Sequence, residues 1–383
     1  MIWLYLSFAF ALLALHPFVT YPLSLHAVRR RPYATPATDR RVASSPAPSY
    51  TIVCCAYNEA RVIERKIHNL LAIRDRWEKV QILVYSDGSS DGTAGILRRY
   101  ADQIGVVVSE KRQGKSVGMN TLLQAARGDI VVFTDANVEL DVEAFGNLAR
   151  HFSQPDVGCV CGHLLYVNAR ESDAAAAGSL YWRFEEMLKR LETDTGSVMG
   201  ADGSLFAIRR KLFRTPPPDI IDDMHTSLSI LCDGYRLVRA EDVLAYERSV
   251  SSTSEEFRRK VRISCRAFNC HRLLWPRLRL LRPLDLYKYL SHKFLRWISI
   301  YLQAACILSL LAWFTVRGQG APALLAMLVL GLLGWTLSRT PGFGVVARLR
   351  EFLAAFAATG LGVWKSLAGE RYQTWTTAAT ARK

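Results

Sequence analysis

The chain has 383 residues, with 49 lysines and arginines against 34 aspartates and glutamates, a formal charge of +15. That length holds a domain of roughly 250 residues plus membrane segments. A basic excess suits nucleic acid, an anionic membrane or an anionic substrate; no nucleic-acid-binding motif is present, which sets that class of partner aside.

Met1 to Ala27 is predominantly apolar, and its charge cluster, Arg29-Arg30-Arg31, comes after it. A cleaved signal peptide has the opposite order. The pattern predicts an uncleaved transmembrane helix within residues 1–28, near residues 2–22. The basic residues that follow it predict a cytoplasmic domain and a multi-pass inner-membrane protein. Residues 29–50, rich in Pro, Ala and Ser, read as a linker with a second basic pair at Arg40-Arg41.

Residues 51–282 alternate strand, acidic turn and helix. Tyr50-Thr-Ile-Val-Cys-Cys-Ala ends in Tyr57-Asn58-Glu59, and Val80-Gln-Ile-Leu-Val-Tyr-Ser ends in Asp87-Gly-Ser-Ser-Asp-Gly-Thr93. Ile130 to Phe133 form an apolar run that ends in Asp135-Ala-Asn137. Such runs suit buried parallel strands, and ligands of open α/β sheets bind beyond the strands' carboxyl ends. Helices are predicted near Ala60–Ala72, Asp91–Asp102, Lys115–Arg127, Val142–Phe152 and Ala174–Glu192. Gly114-Lys115 opens one of them, where backbone N–H groups and an ammonium meet phosphate. Together these features read as an α/β nucleotide-binding domain.

Eight cysteines form no C-x-x-C pair. Cys54, Cys55, Cys159 and Cys161 fall on predicted strands as small core residues, consistent with a reduced setting. Cys265, Cys270 and His271 lack the spacing of a standard zinc site.

Leu284 to Trp297 mixes aromatic and basic residues, which predicts an interfacial amphipathic helix over 283–297, with a core-facing helix as the alternative. Ile298–Val316 and Ala323–Leu337 are uncharged apolar stretches that predict a transmembrane hairpin. Phe352–Leu367 is apolar but short, and spans or lies in the interface. The C-terminal membrane region is thus 298–367, followed by a tail at 368–383.

In this order and spacing, Tyr57-Asn58-Glu59, Asp87 to Thr93, Gly114-Lys115 with Asn120, Asp135-Ala-Asn137, Gly200-Ala-Asp-Gly203 and Asp222-Asp223 resemble the family 2 inverting glycosyltransferases. The likeness is to their membrane-bound members, related to cellulose, chitin and hyaluronan synthases, and covers roughly residues 50–300. It implies a GT-A fold, a Rossmann-like mixed sheet with helices on both faces. It also implies a UDP-sugar donor and a glycan or lipid-linked acceptor in envelope or exopolysaccharide synthesis.

The resemblance distributes roles. Asp223 matches the general base, with Asp222 beside it; a helix N-terminus is the structural reading of the same pair. Tyr57, Glu59, Asp87, Lys115 and Asp135 match nucleotide-binding positions, with a surface lysine the alternative for Lys115. Asp135 and Asn137 match the site of Mg2+ or Mn2+, but Asn137 is neutral where the family carries an acid. Asp202 and Gly203 match an acceptor loop, and Trp182 is a candidate sugar platform or a core residue. Arg262 matches the arginine of a Gln-x-x-Arg-Trp motif whose Gln and Trp are absent here; with Arg259 it is expected at the diphosphate. Three readings follow: a single-addition enzyme, a processive synthase that threads its product through the membrane or a partner channel, and a catalytically weak nucleotide-binding subunit of an export complex.

Overall fold

The computed structural model describes residues 1–28, 33, 48–167, 173–248, 252–340 and 344–375. Most of the expected linker, including Arg29-Arg30-Arg31 and Arg40-Arg41, and the tail beyond Trp375 lie outside them. The core is one eight-stranded mixed sheet. In chain order its strands are β1 (Tyr50–Ala56), β2 (Val80–Asp87), β3 (Gly105–Ser109), β4 (Ile130–Asp135), β5 (Glu139–Leu140), β6 (Val157–Tyr166), β7 (Leu205–Arg209) and β8 (Arg236–Glu247). Their spatial order is β3-β2-β1-β4-β7-β6-β8-β5. The β3-β2-β1-β4 half is parallel, β7 runs antiparallel between β4 and β6, and β6 pairs parallel with β8.

The alternation of β1 explains why the sheet is covered twice. Ile52, Cys54 and Ala56 face one apolar layer, and Val53 and Cys55 face the other. The first layer is closed by α3 (Ile63–Arg76) through Ile63, Ile67, Leu70 and Ile73, and by α6 (Ala144–Phe152) through Phe145 and Leu148. The second is closed by α5 (Lys115–Ala125), α8 (Asp222–Cys232) and the long α9 (Thr253–Leu278), through Met119, Leu122, Leu228, Phe268 and Leu274. Burying strands on both faces is what their continuous apolar runs require. In chain order, α1 (Ile2–Leu15), α2 (Thr20–Ala27) and α4 (Thr93–Arg98) precede α5, and α7 (Asp173–Asp194) follows α6.

Three membrane expectations change. The N-terminal segment is not one straight helix near 2–22: α1 and α2 meet at 64° across a break holding Pro17, which lacks the N–H a continuing helix needs. Residues 283–297 do not form a separate interfacial helix. They are α10 (Pro283–Tyr289), a π-helical turn (Leu290–Phe294) and the start of α11 (Leu295–Val316), a rod of 34 residues apolar enough to cross a membrane. Its basic residues turn inward: Lys288, fully buried, donates to the Ser197 carbonyl, and Tyr289 pairs with His271. α12 (Gly320–Leu337) is the second helix of spanning length.

The third concerns 352–367, which the sequence left open between spanning and interfacial. It belongs to α13 (Gly344–Leu367), which docks on α9. A Cβ at Gly362 would stand 2.5 Å from the Val261 carbonyl oxygen, so only glycine allows this approach. Ser366 donates to Asn269 and Arg272 to the Ser366 carbonyl. Leu349, Leu353 and Trp364 stay exposed on the opposite side.

Candidate active site

The carboxyl ends of β1 and β4 open on a cavity of about 510 Å3. Local chain geometry builds its rim. Asn58 takes φ 51°, the left-handed turn conformation an asparagine tolerates, and its side chain accepts from the Ser90 N–H. Ala60 N–H donates to Asp91, which also caps Thr93. These turns delay α3 to Ile63 and fix the two acidic loops against each other.

Lys115 is the hub. Its ammonium lies 2.7 Å from Asp135 and 3.5 Å from Asp222. Burial works against its charge, but Asp135, Asp222 and Asp223 outweigh burial and hold its pKa well above the usual lysine range. The surface-lysine alternative is therefore set aside. Asp222 and Asp223 open α8, where the helix N-terminus favours negative charge. Asp223 accepts from the Met224 N–H at 2.5 Å. Burial and the neighbouring Asp222 push its carboxyl up to about 7, against the pull of Lys115. Gly203 faces this pair: a Cβ there would lie 3.1 Å from both Asp223 Oδ2 and Lys115 Nζ. Glycine at this position keeps open the space above the carboxylate.

α9 lines the cavity from the other side. Arg262 Nη1 is buried without a hydrogen-bond partner among the described residues. Burial, then Arg266, Arg259 and Arg112, lower its pKa to about 10. A buried, unsatisfied guanidinium among other arginines is costly unless an anion joins it. Arg259, by contrast, is committed to Glu256 at 2.9 Å.

The remaining expected residues fall in distinct settings. Asp87 is fully buried, and both carboxylate oxygens accept from the Gln113 and Gly114 N–H groups; here it shapes the loop before α5. Glu59 is buried at the cavity wall. Tyr57 lies under the Arg112 guanidinium at 3.4 Å. Asp202 is held by Lys189 at 2.8 Å. Trp182 donates to the Leu164 carbonyl and packs edge-on to Tyr166, with Lys189 4.4 Å over its ring, so it is both a packed core residue and part of the cavity wall.

Asn137 donates to Glu247 at 2.9 Å, so an acid does stand beside the neutral position, supplied by the end of β8. No cluster of three His, Cys, Asp or Glu side chains that could hold a metal exists among the described residues. Asp135 and the Asn137 carbonyl offer two oxygen donors. That partial set fits a hard cation whose shell is completed by substrate phosphates.

Sequence reasoning missed three contributors. Lys66 is buried under the loop after β4, where it donates to Thr134 at 3.0 Å and to the Val138 carbonyl at 2.5 Å. Its signal was a lysine on the apolar face of α3. Glu247 had no local signal. The expected tail crosses the site instead of trailing away: Gln373 donates to the Gln113 carbonyl, Arg112 donates to the Trp375 carbonyl, and Trp375 packs edge-on to Tyr57.

This sheet order, with acidic turns, a lysine hub and an aspartate pair around one cavity, defines a GT-A domain. Residues 51–215 match the Glycosyl transferase family 2 model. It is similar to an N-acetylglucosaminyltransferase of Rhizobium leguminosarum bv. viciae, 25% identical over 228 residues, 55% of this chain and 53% of that protein. It is 30% identical over 165 residues to a poly-beta-1,6-N-acetyl-D-glucosamine synthase of Staphylococcus aureus, 42% of this chain and 39% of that protein. The chain thus spans about half or less of these curated relatives. Its fold matches a mannosyltransferase of Pyrobaculum calidifontis solved with GDP-Man and Mn2+, at a TM-score of 0.73 and 22% identity, over 96% of this chain and 99% of that one.

Proposed function

We propose that the chain is a membrane-associated inverting glycosyltransferase that moves a sugar from a UDP-sugar to a hydroxyl of a glycan or lipid-linked acceptor. The observation that carries this reading is the Lys115, Asp135, Asp222 and Asp223 cluster facing the unsatisfied Arg262 across one cavity. N-acetylglucosamine is the first donor sugar to test, because both relatives are named for it.

In the proposed reaction, ionised Asp223 takes the proton of the acceptor hydroxyl. The acceptor oxygen bonds to the anomeric carbon as the bond to the diphosphate oxygen breaks, and the electron pair leaves with UDP. One displacement inverts the centre. Arg262 and Lys115 offset the charge gathering on the leaving group. Asp135 and the Asn137 carbonyl are the residues that would hold Mg2+ or Mn2+, which when bound supplies further positive charge to the diphosphate. Asp87 fixes the loop that carries Lys115, and Glu59 and Tyr57 wall the nucleotide end.

A second reading, a processive synthase, is favoured by the polymer-forming description of the Staphylococcus relative. UDP release from full-length protein in nanodiscs, over a panel of UDP-sugars, tests both. Release with one sugar, lost in Asp223→Asn, supports the transferase, and product length separates one addition from many.

A further inference from the structure

Asn137 lines the cavity half-buried, beside Asp135 in the turn between β4 and β5. Its side chain is a neutral amide with two unlike ends. The oxygen accepts hydrogen bonds and attracts a cation, while the NH2 group donates and repels one. The two ends are nearly the same size, so packing does not choose between them. Hydrogen bonding does.

Glu247 makes that choice. Asn137 Nδ2 donates to Glu247 Oε1 at 2.9 Å. The amide oxygen is thereby turned away from Glu247, and it accepts no hydrogen bond among the described residues. A half-buried amide oxygen on a cavity wall, with its NH2 group already bound, is an acceptor left for a ligand that enters. A hydrogen bond to a carboxylate is stronger than one between neutral groups, so the amide is held in this orientation.

The carboxylate itself is fixed. Glu247 is the last residue of β8, whose end pairs with β5 through Tyr246 and Glu139 and with β6 through Glu247 and Tyr166. Val167 N–H donates to the Glu247 carbonyl at 3.0 Å. The second carboxylate oxygen accepts from Ser204 Oγ at 3.3 Å, one residue past the Gly203 that faces Asp223. From beneath, Lys66 holds Thr134 and the Val138 carbonyl, the residues that bracket Asp135 to Asn137. The turn is thus set from two sides before any ligand arrives.

We infer that Glu247 is a positioning residue of the donor site: it grips Asn137 by the amide nitrogen and so presents the amide oxygen to the divalent cation that accompanies the donor diphosphate. This deepens the donor reading and rests on its cation. Glu247 acts through Asn137 and is not itself assigned as a ligand. Groups that orient the ligands of a cation from behind set its affinity by roughly ten- to a hundredfold.

Full-length protein in nanodiscs would be titrated with Mn2+, with and without UDP, reading the paramagnetic resonance signal of the free ion. UDP affinity in EDTA, measured separately, reports folding and the nucleotide site. Glu247→Leu is expected to weaken Mn2+ by at least about tenfold while UDP affinity in EDTA stays unchanged. Glu247→Gln should keep most of the native affinity, because its amide oxygen still accepts from Asn137. In an Asn137→Ala background, adding Glu247→Leu should cost nothing further, the mark of a residue that works through its partner. Unchanged Mn2+ affinity in Glu247→Leu, equal losses in Glu247→Gln and Glu247→Leu, or additive losses with Asn137→Ala would overturn the inference. So would a parallel loss of UDP affinity in EDTA, or a native chain that binds UDP but no Mn2+. Each of these results leaves the donor reading standing. Absent UDP binding by the native chain, with Mn2+ still dependent on Glu247, would overturn the donor reading alone.

Discussion

Lys115 Nζ lies 2.7 Å from Asp135 Oδ1, so the helix after β3 is tied to the end of β4 by one half-buried ion pair. The same ammonium reaches Asp222 at 3.5 Å. One cation thus stands among three carboxylates, one at the end of β4 and two in the first turn of α8.

Lys115→Met would leave Asp135, Asp222 and Asp223 facing each other. Because the Asp135 side chain is about a third exposed, losing the ammonium costs about 1–3 kcal/mol, less than for a fully buried pair. The expected outcome is a lower thermal midpoint at pH 8, recovered in part at pH 5.5 as carboxylates take up protons. Calorimetry at the two pH values checks this, and equal losses at both would refute the hub role.

Asp223 gives a second pH signature. Its folded-state pKa is raised to about 7, above its unfolded value, so its stabilising contribution is complete below the unfolded pKa and is lost as pH rises through about 7. Asp223→Asn should therefore stabilise the empty protein at pH 8, by about 2 kcal/mol once the partial exposure of the carboxyl is allowed for, and by much less at pH 4. Denaturant melts at both pH values decide it.

Arg262→Met removes an unsatisfied buried guanidinium nitrogen. Stability is expected to hold or rise, while UDP affinity falls by roughly tenfold, about 1.4 kcal/mol. Parallel loss of stability and affinity would assign Arg262 a purely structural role.

Lys66→Met strips the Val138 carbonyl and Thr134 of their buried donor. The expected cost is about 1–3 kcal/mol, with faster amide exchange confined to the loop after β4. Exchange mass spectrometry shows whether the opening is local; uniform exchange would mean global destabilisation instead.

The β1–β4 half of the fold was legible because its signals are local. β1, β2 and β4 are apolar runs ended by acidic turns, and each predicted helix from Ala60 to Phe152 has a counterpart within a few residues. The site's second half was not. Glu247 reaches Asn137 because β8 pairs antiparallel with β5, the short strand just after Asn137, with Glu139 against Tyr246, a contact across 110 residues. The inward turn of Lys288 and His292 depends on buried partners in other segments, so composition suggested a membrane surface. Docking of α13 requires a close approach at Gly362, which no periodicity reveals.

The central claim is that Asp223 is the base of a UDP-sugar transferase. Its most direct test is the pH dependence of UDP release from UDP-N-acetylglucosamine and the other donors, for the native chain and Asp223→Asn in nanodiscs. The expected result is a rate that climbs about tenfold per pH unit below about 7 and levels above it, with the variant at background while still binding UDP. Full activity in Asp223→Asn, or a native rate flat from pH 5 to 8, would contradict the claim.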